Sequence, residues 1–131
     1  MKLSESAPEG IDVTEVLELA AKLGMGETPE MTALRGQIVE ALREGPEKDA
    51  LARELYAEYE RKVDMLLEKV TTLNGQIGEQ LVKAVIFGEA GNGDYFLDFL
   101  SDARLSAHNS GLMWEEVNQI GGIMRRSGLG G

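Results

Sequence analysis

Residues 59–77 read YERKVDMLLEKVTTLNGQI. Within them, apolar side chains recur at alternating intervals of four and three residues, which is a short heptad pattern on one face of a helix. The members of this heptad stripe are Tyr59, Val63, Leu66, Val70, Leu73 and Ile77. The same spacing continues in phase on both sides, from Leu51 to Val85. The pattern therefore predicts a long helix over about 46–87, on the order of 60 Å in length at 1.5 Å per residue.

The weakest part of this predicted helix is residues 71–75, Thr-Thr-Leu-Asn-Gly. β-Branched residues followed by Asn-Gly lower helix propensity. The sequence therefore leaves two arrangements open. The helix either continues through Asn74-Gly75, or it is kinked or broken there, which would give a helical hairpin.

Periodic apolar residues also predict helices on both sides of this tract, at about 12–23, 28–44, 94–109 and 112–124. Asp12, with Glu15 three residues later, fits a capping box, and Thr28-Pro29 fits an N-cap followed by proline in the first turn. No run alternates β-branched and polar residues as a strand does. We therefore expect an all-α protein, a five- or six-helix bundle around one long helix, straight or kinked, or around a helical hairpin.

The 131 residues suffice for one domain with its own core. Hydrophobic residues make up 43% and charged residues 27%, as in soluble globular proteins. We expect a single helical domain over 11–127, a flexible N-terminal arm over 1–10 and a flexible glycine-rich tail over 128–131. The first residues lack the apolar segment of a signal peptide, and no apolar run approaches the ~20 residues of a transmembrane helix. The expectation is a cytoplasmic protein with no membrane partner.

The composition also argues against most catalytic chemistry. The chain has no Cys and one His, His108, and it has no nucleophile elbow or phosphate-binding glycine loop. We therefore expect a protein that is not an enzyme, with no catalytic residues, no cofactor and no metal site. The formal net charge of −10 repels phosphate backbones, so nucleic acid is not the partner that we expect.

The heptad stripe has two interpretations. A dimerising helix would use it as an interface with a partner or a second copy, whereas the central helix of a monomeric bundle would bury it in its own core. The first is favoured, because the two short helices before the stripe cover only part of it. We therefore expect a homodimer, and we expect acidic side chains on the same tract, such as Glu54, Glu58 and Asp64, to face a basic protein surface. The leading hypothesis is a small cytoplasmic adaptor, assembly factor or inhibitor acting through protein–protein contacts.

The segment WEEVNQIGGIMRR, residues 114–126, resembles the first helix and the turn of bacterial helix-turn-helix domains. Gly122 would be the turn glycine, which such a sharp turn needs for its positive φ, and the residues after it would enter the major groove of DNA. The resemblance implies a DNA-binding protein with Arg104, Arg125 and Arg126 as nucleic-acid contacts. This is the alternative functional hypothesis.

Two positions depart from the helix-turn-helix pattern. Asn118 stands where a small residue is usual, and Met124 stands where Ser or Thr normally caps the recognition helix. The other interpretation of this segment is a single amphipathic helix, and it is the one that we expect. Its inward residues would be Met113, Val117, Ile120 and Met124.

Overall fold

The computed structural model describes residues 13–110 and 114–126. These residues form six α-helices and one short 3-10 helix, Pro46–Lys48, and no strand is found among them. The α-helices are α1 (Val13–Lys22), α2 (Pro29–Glu44), α3 (Asp49–Leu67), α4 (Thr72–Glu89), α5 (Gly93–Ser110) and α6 (Trp114–Arg126). The predicted all-α class is confirmed. The proposed arm over 1–10, the cap residue Asp12, the inward residue Met113 and the tail over 128–131 lie outside the described residues.

The long tract predicted over 46–87 is not one helix. The first part, α3, ends at Leu67, and α4 begins at Thr72. Thr71 is extended, and its hydroxyl accepts a hydrogen bond from the backbone N–H of Asn74 at 3.4 Å. Thr71 is thus the N-cap of a new helix. The break comes before the Asn74-Gly75 pair, which is helical.

Gly75 has a packing role in this turn. A methyl group on Gly75 would lie 2.6 Å from Leu67 Cδ2 and 3.1 Å from Val70 Cγ2. The absence of a side chain therefore lets the end of α3 pack closely on the first turn of α4. Val70 also packs on Gly24, whose φ of +93° is in the region that favours glycine. The turn between α3 and α4 is thereby fixed against the turn that follows α1.

The centre of the bundle is α4, an 18-residue helix. It packs mainly against α1 and α5, while α2 and α3 form a separate hairpin that covers it more sparsely. One face of α4 carries exposed and half-buried residues, including Gln76, Lys83 and Phe87. Buried residues cover the rest of its circumference, as in a helix with neighbours on most sides. They are Gly75, Ile77, Gly78, Leu81, Val82, Ala84, Val85, Ile86 and Gly88.

The predicted helix faces agree with the core. In α1 the apolar residues Val16, Leu19 and Ala20 share one face at helical spacing, and all three are buried. The N-cap prediction for α2 is confirmed, since the Thr28 hydroxyl accepts a 3.2 Å hydrogen bond from the N–H of Met31. Over the described ranges, no helix combines the length and apolarity required to cross a membrane.

Candidate docking groove

A groove separates α3 from α5. The hairpin partner of α3 is α2, and α5 packs on α4 and α6, so the two helices stand apart on the same side of the bundle. The groove has a volume of about 780 Å³, in the range of pockets that hold ligands or anchoring side chains. Its apolar lining consists of Ile38, Leu42, Ala52, Tyr56, Phe87, Tyr95 and Phe99.

Four aromatic rings form the floor and one wall of the groove. The ring of Phe87 is at the centre: it stacks on Phe99 with centroids 5.6 Å apart, and Tyr95 meets it edge-on at 5.1 Å. Tyr56 approaches the same ring from α3, at 6.1 Å. Tyr95 remains 51% exposed. Rings of this size gain most from losing contact with water, so this cluster can supply binding free energy to a partner that covers it.

The rim of the groove is acidic. Asp49 of α3 and both Asp98 and Asp102 of α5 line it, and Arg53 is the basic residue of the lining. All three carboxylate residues are exposed, and Asp98 and Asp102 lie one turn apart on α5. An acidic rim around an apolar floor favours a partner that combines apolar and basic side chains.

A buried polar cluster holds the α2–α3 hairpin, which forms one wall of the groove, against α4. The guanidinium of Arg35 lies between two carboxylates, donating to Glu27 at 2.8 Å and to Glu89. Tyr59 of α3 donates a 2.7 Å hydrogen bond to the same Glu27 carboxylate. Removal of Arg35 would leave the largely buried carboxylates of Glu27 and Glu89 without their cation, which is destabilising. Because Glu89 lies two residues after Phe87, the cluster also positions the floor of the groove.

The pKa values in this region follow from burial and from these contacts. Burial raises the pKa of Tyr59, and the negative charge of Glu27 raises it further. Burial alone would lower the pKa of Arg35, but the carboxylates of Glu27 and Glu89 outweigh it and raise that pKa. Burial also raises the pKa of Tyr56, on the groove floor. Both phenols are therefore neutral at neutral pH.

The heptad stripe lies largely inside the chain's own core. Tyr59, Val63 and Ile77 are at most 1% exposed. The remaining three, Leu66, Val70 and Leu73, are half-buried and pack against the same core. An interface between two copies through Tyr59, Val63 and Ile77 would require the bundle to open. The interpretation as the core of a bundle accounts for these three positions.

The acidic residues expected to form a docking face do not line the groove. Glu54 and Asp64 are exposed on α3. Glu58 pairs with Arg61 and Lys62 on its own helix, and the hydrogen bond from Arg61 lowers the pKa of the Glu58 carboxyl. The acidic residues of the groove come from other positions, mainly on α5.

The turn of the helix-turn-helix resemblance is absent, because α6 is helical without interruption through Gly121 and Gly122. Val117 and Ile120 are buried and Met124 is half-buried, as the single-helix interpretation predicts. Gly121 and Gly122 are buried, and arginine side chains lie over them on the surface of α6. These side chains are Arg104, Arg125 and Arg126.

The sequence does not predict the groove, although the aromatic residues that line it stand out in the sequence. The aromatic residues over 87–99 suggest a core junction, and Phe96 is indeed completely buried. Phe99, by contrast, is only half-buried and lines the groove. The helical spacing of α5 separates the residues of the groove face from those of the core face. Tyr95 and Phe99 share one face with Asp98, while Phe96 shares the core face with Leu100.

In the part of the chain that the structure describes, no three His, Asp or Glu side chains come together as a metal site requires. No protein-family model matches the chain, and no curated protein or solved structure matches it significantly.

Proposed function

We propose that this protein is a non-enzymatic protein-interaction module whose groove between α3 and α5 binds an amphipathic helix of a partner protein. The observation that carries the proposal is the half-exposed aromatic cluster around Phe87, enclosed by the carboxylates of Asp49, Asp98 and Asp102. Helix-in-groove recognition places apolar anchors spaced by three or four residues into such a floor. Basic residues beside those anchors would meet the acidic rim.

Charge makes a basic partner a better occupant than a second copy of this chain. Each copy has a formal net charge of −10, so two copies repel one another, whereas a basic helix is attracted before contact and binds faster. The half-buried stripe residues Leu66, Val70 and Leu73 leave less apolar surface for a homodimer than the sequence suggests. Light scattering measures the oligomeric state of the protein directly. A monomer is the expected result, and a concentration-independent dimer would favour self-association instead.

The binding test uses two synthetic helical peptides with identical leucine spacing, one with lysine and one with glutamate at the polar positions. Calorimetry should detect binding of the lysine peptide and not of the glutamate peptide. Tyr95→Ser should weaken it about tenfold, because a central aromatic anchor contributes about 1–2 kcal/mol. Asp98→Asn with Asp102→Asn should weaken it and reduce its salt dependence.

Matched control variants separate the groove from general surface properties. Leu105→Ser removes an exposed apolar residue, 56% accessible, from outside the groove. Asp64→Asn with Glu68→Gln removes two exposed charges at the C-terminal end of α3, outside the groove. Both controls should bind the lysine peptide as the unchanged protein does. Equal weakening in the controls and the groove variants would contradict a specific docking site.

A further inference from the structure

Two arginine side chains from different helices meet over Gly121. A methyl group on this glycine would lie 3.6 Å from Nε of Arg104, on α5, and 3.7 Å from Nη1 of Arg125, on α6. The two nitrogen atoms are therefore no further apart than the sum of these distances.

The charges of these two guanidinium groups are not offset by carboxylates nearby. The neighbouring Arg126 lies over Gly122 and pairs with Glu15 of α1. Neither Arg104 nor Arg125 forms an ion pair with any residue of the described ranges. Both are exposed. Two like charges on the same patch of surface are stabilised by an anion that bonds to both of them.

A hollow lies beside Arg104 on the surface of α5. Arg104 lines it together with Ser101, Leu105 and His108, on successive turns of the exposed face of α5, and its volume is about 410 Å³. Arg104 therefore lies near Arg125 over Gly121 and also borders a space that is large enough for a small organic molecule. Leu105 provides it with an apolar wall, and Ser101 and His108 provide polar groups.

We propose that Arg104 and Arg125 bind the phosphate group of a small organic phosphate whose remaining part lies in this hollow. Guanidinium groups match phosphate oxygens in geometry and form charge-assisted bonds of about 2.8 Å. One tetrahedral anion can accept bonds from both arginines at their separation. Duplex DNA is a poorer ligand, because the turn at Gly122 is absent and a net charge of −10 repels a polyanion.

The test titrates the protein with phenyl phosphate and with inorganic phosphate at low salt, and follows the arginine Nε–Hε signals by NMR. Binding of phenyl phosphate should shift the signals of Arg104 and Arg125, with a Kd of about 1 mM or lower. Arg104→Gln and Arg125→Gln should each weaken the binding of phenyl phosphate at least about tenfold, because each substitution removes a charged hydrogen bond. Inorganic phosphate should bind to the same arginines more weakly, since it leaves the hollow empty.

Arg61→Gln is the matched control, because Arg61 is an exposed arginine on α3 that pairs with Glu58. It should leave phenyl phosphate binding unchanged, and circular dichroism establishes that all three variants are folded. The proposal is overturned if phenyl phosphate does not bind at low salt, or if Arg61→Gln weakens it as much as the other two variants. Tighter, salt-sensitive binding of a DNA duplex at Arg104 and Arg125 would also overturn it, in favour of nucleic acid. These outcomes are independent of the groove between α3 and α5.

Discussion

The rings of Phe87 and Phe99 are stacked, with centroids 5.6 Å apart and planes inclined by 13°. Phe87 is in the last turns of α4 and Phe99 is in the second turn of α5, so the stack joins the two helices where the groove floor begins. Stacked aromatic pairs contribute about 0.5–1.5 kcal/mol beyond the area that they bury. We therefore expect Phe87→Leu and Phe99→Leu to be coupled in a double-mutant cycle of urea unfolding by about that amount. Additive effects would show that the stack contributes nothing to stability.

A second pair of contacting residues tests the packing of α4. A methyl group on Gly78 would lie 2.3 Å from Cγ of Met25 and 2.8 Å from its Cβ. Gly78→Ala should therefore destabilise the protein by about 1–3 kcal/mol, despite the gain in helix propensity. Gly36→Ala is the matched control on α2, where nothing lies within 4 Å, and it should stabilise by up to about 1 kcal/mol. Thermal unfolding measures both. Stabilisation by Gly78→Ala would mean that Met25 does not occupy this place.

The hydrogen bond from Tyr59 to Glu27 predicts a dependence of stability on pH. The folded state raises the pKa of Tyr59 above its ordinary value of 10.0, so the stabilisation is complete below pH 10 and is lost as the pH rises above it. At pH 7.5, Tyr59→Phe should lower the free energy of unfolding by about 1–3 kcal/mol. Above pH 10 this difference should shrink by about 1.4 kcal/mol per pH unit. Urea unfolding at pH 7.5 and pH 11 measures the change, and an unaltered difference would contradict it.

The break between α3 and α4 depends on the cap at Thr71. Thr71→Ala removes the hydroxyl that accepts from the N–H of Asn74, and it should cost about 1 kcal/mol in the free energy of unfolding. Thr72→Ala is the matched control, because Thr72 is the exposed first residue of α4. Its effect should be close to zero. Equal costs for the two substitutions would show that Thr71 is not the cap.

Local signals in the sequence predict most of the helices and their inward faces, because caps and periodicity act within a few turns. They leave a break at Asn74-Gly75 open, but they do not place it over 68–71, where it occurs. The spacing of Leu66, Val70 and Leu73 stays in phase across it, since all three pack on the same core from two different helices. An apolar spacing that stays in phase therefore does not establish a continuous helix. The expected homodimer rests on such a helix and is less well supported without it.

The groove and the arginine site depend on how distant segments meet, which local patterns do not contain. Tyr56 and Tyr95 are far apart in the sequence, and only the arrangement of α3 and α5 brings them to one groove. Arg104 and Arg125 were grouped on the basis of a turn that does not form. They nevertheless meet, because the packing of α5 on α6 brings both side chains over Gly121.

The most direct test of the docking groove is a paramagnetic measurement with the lysine-containing helical peptide. A nitroxide label is attached to one end of the peptide, and the loss of signal intensity is mapped on isotopically labelled protein. We expect broadening confined to the groove, at its aromatic residues Tyr56, Phe87, Tyr95 and Phe99. Broadening centred on α1 and α6, or spread evenly over the acidic surface, would contradict the account.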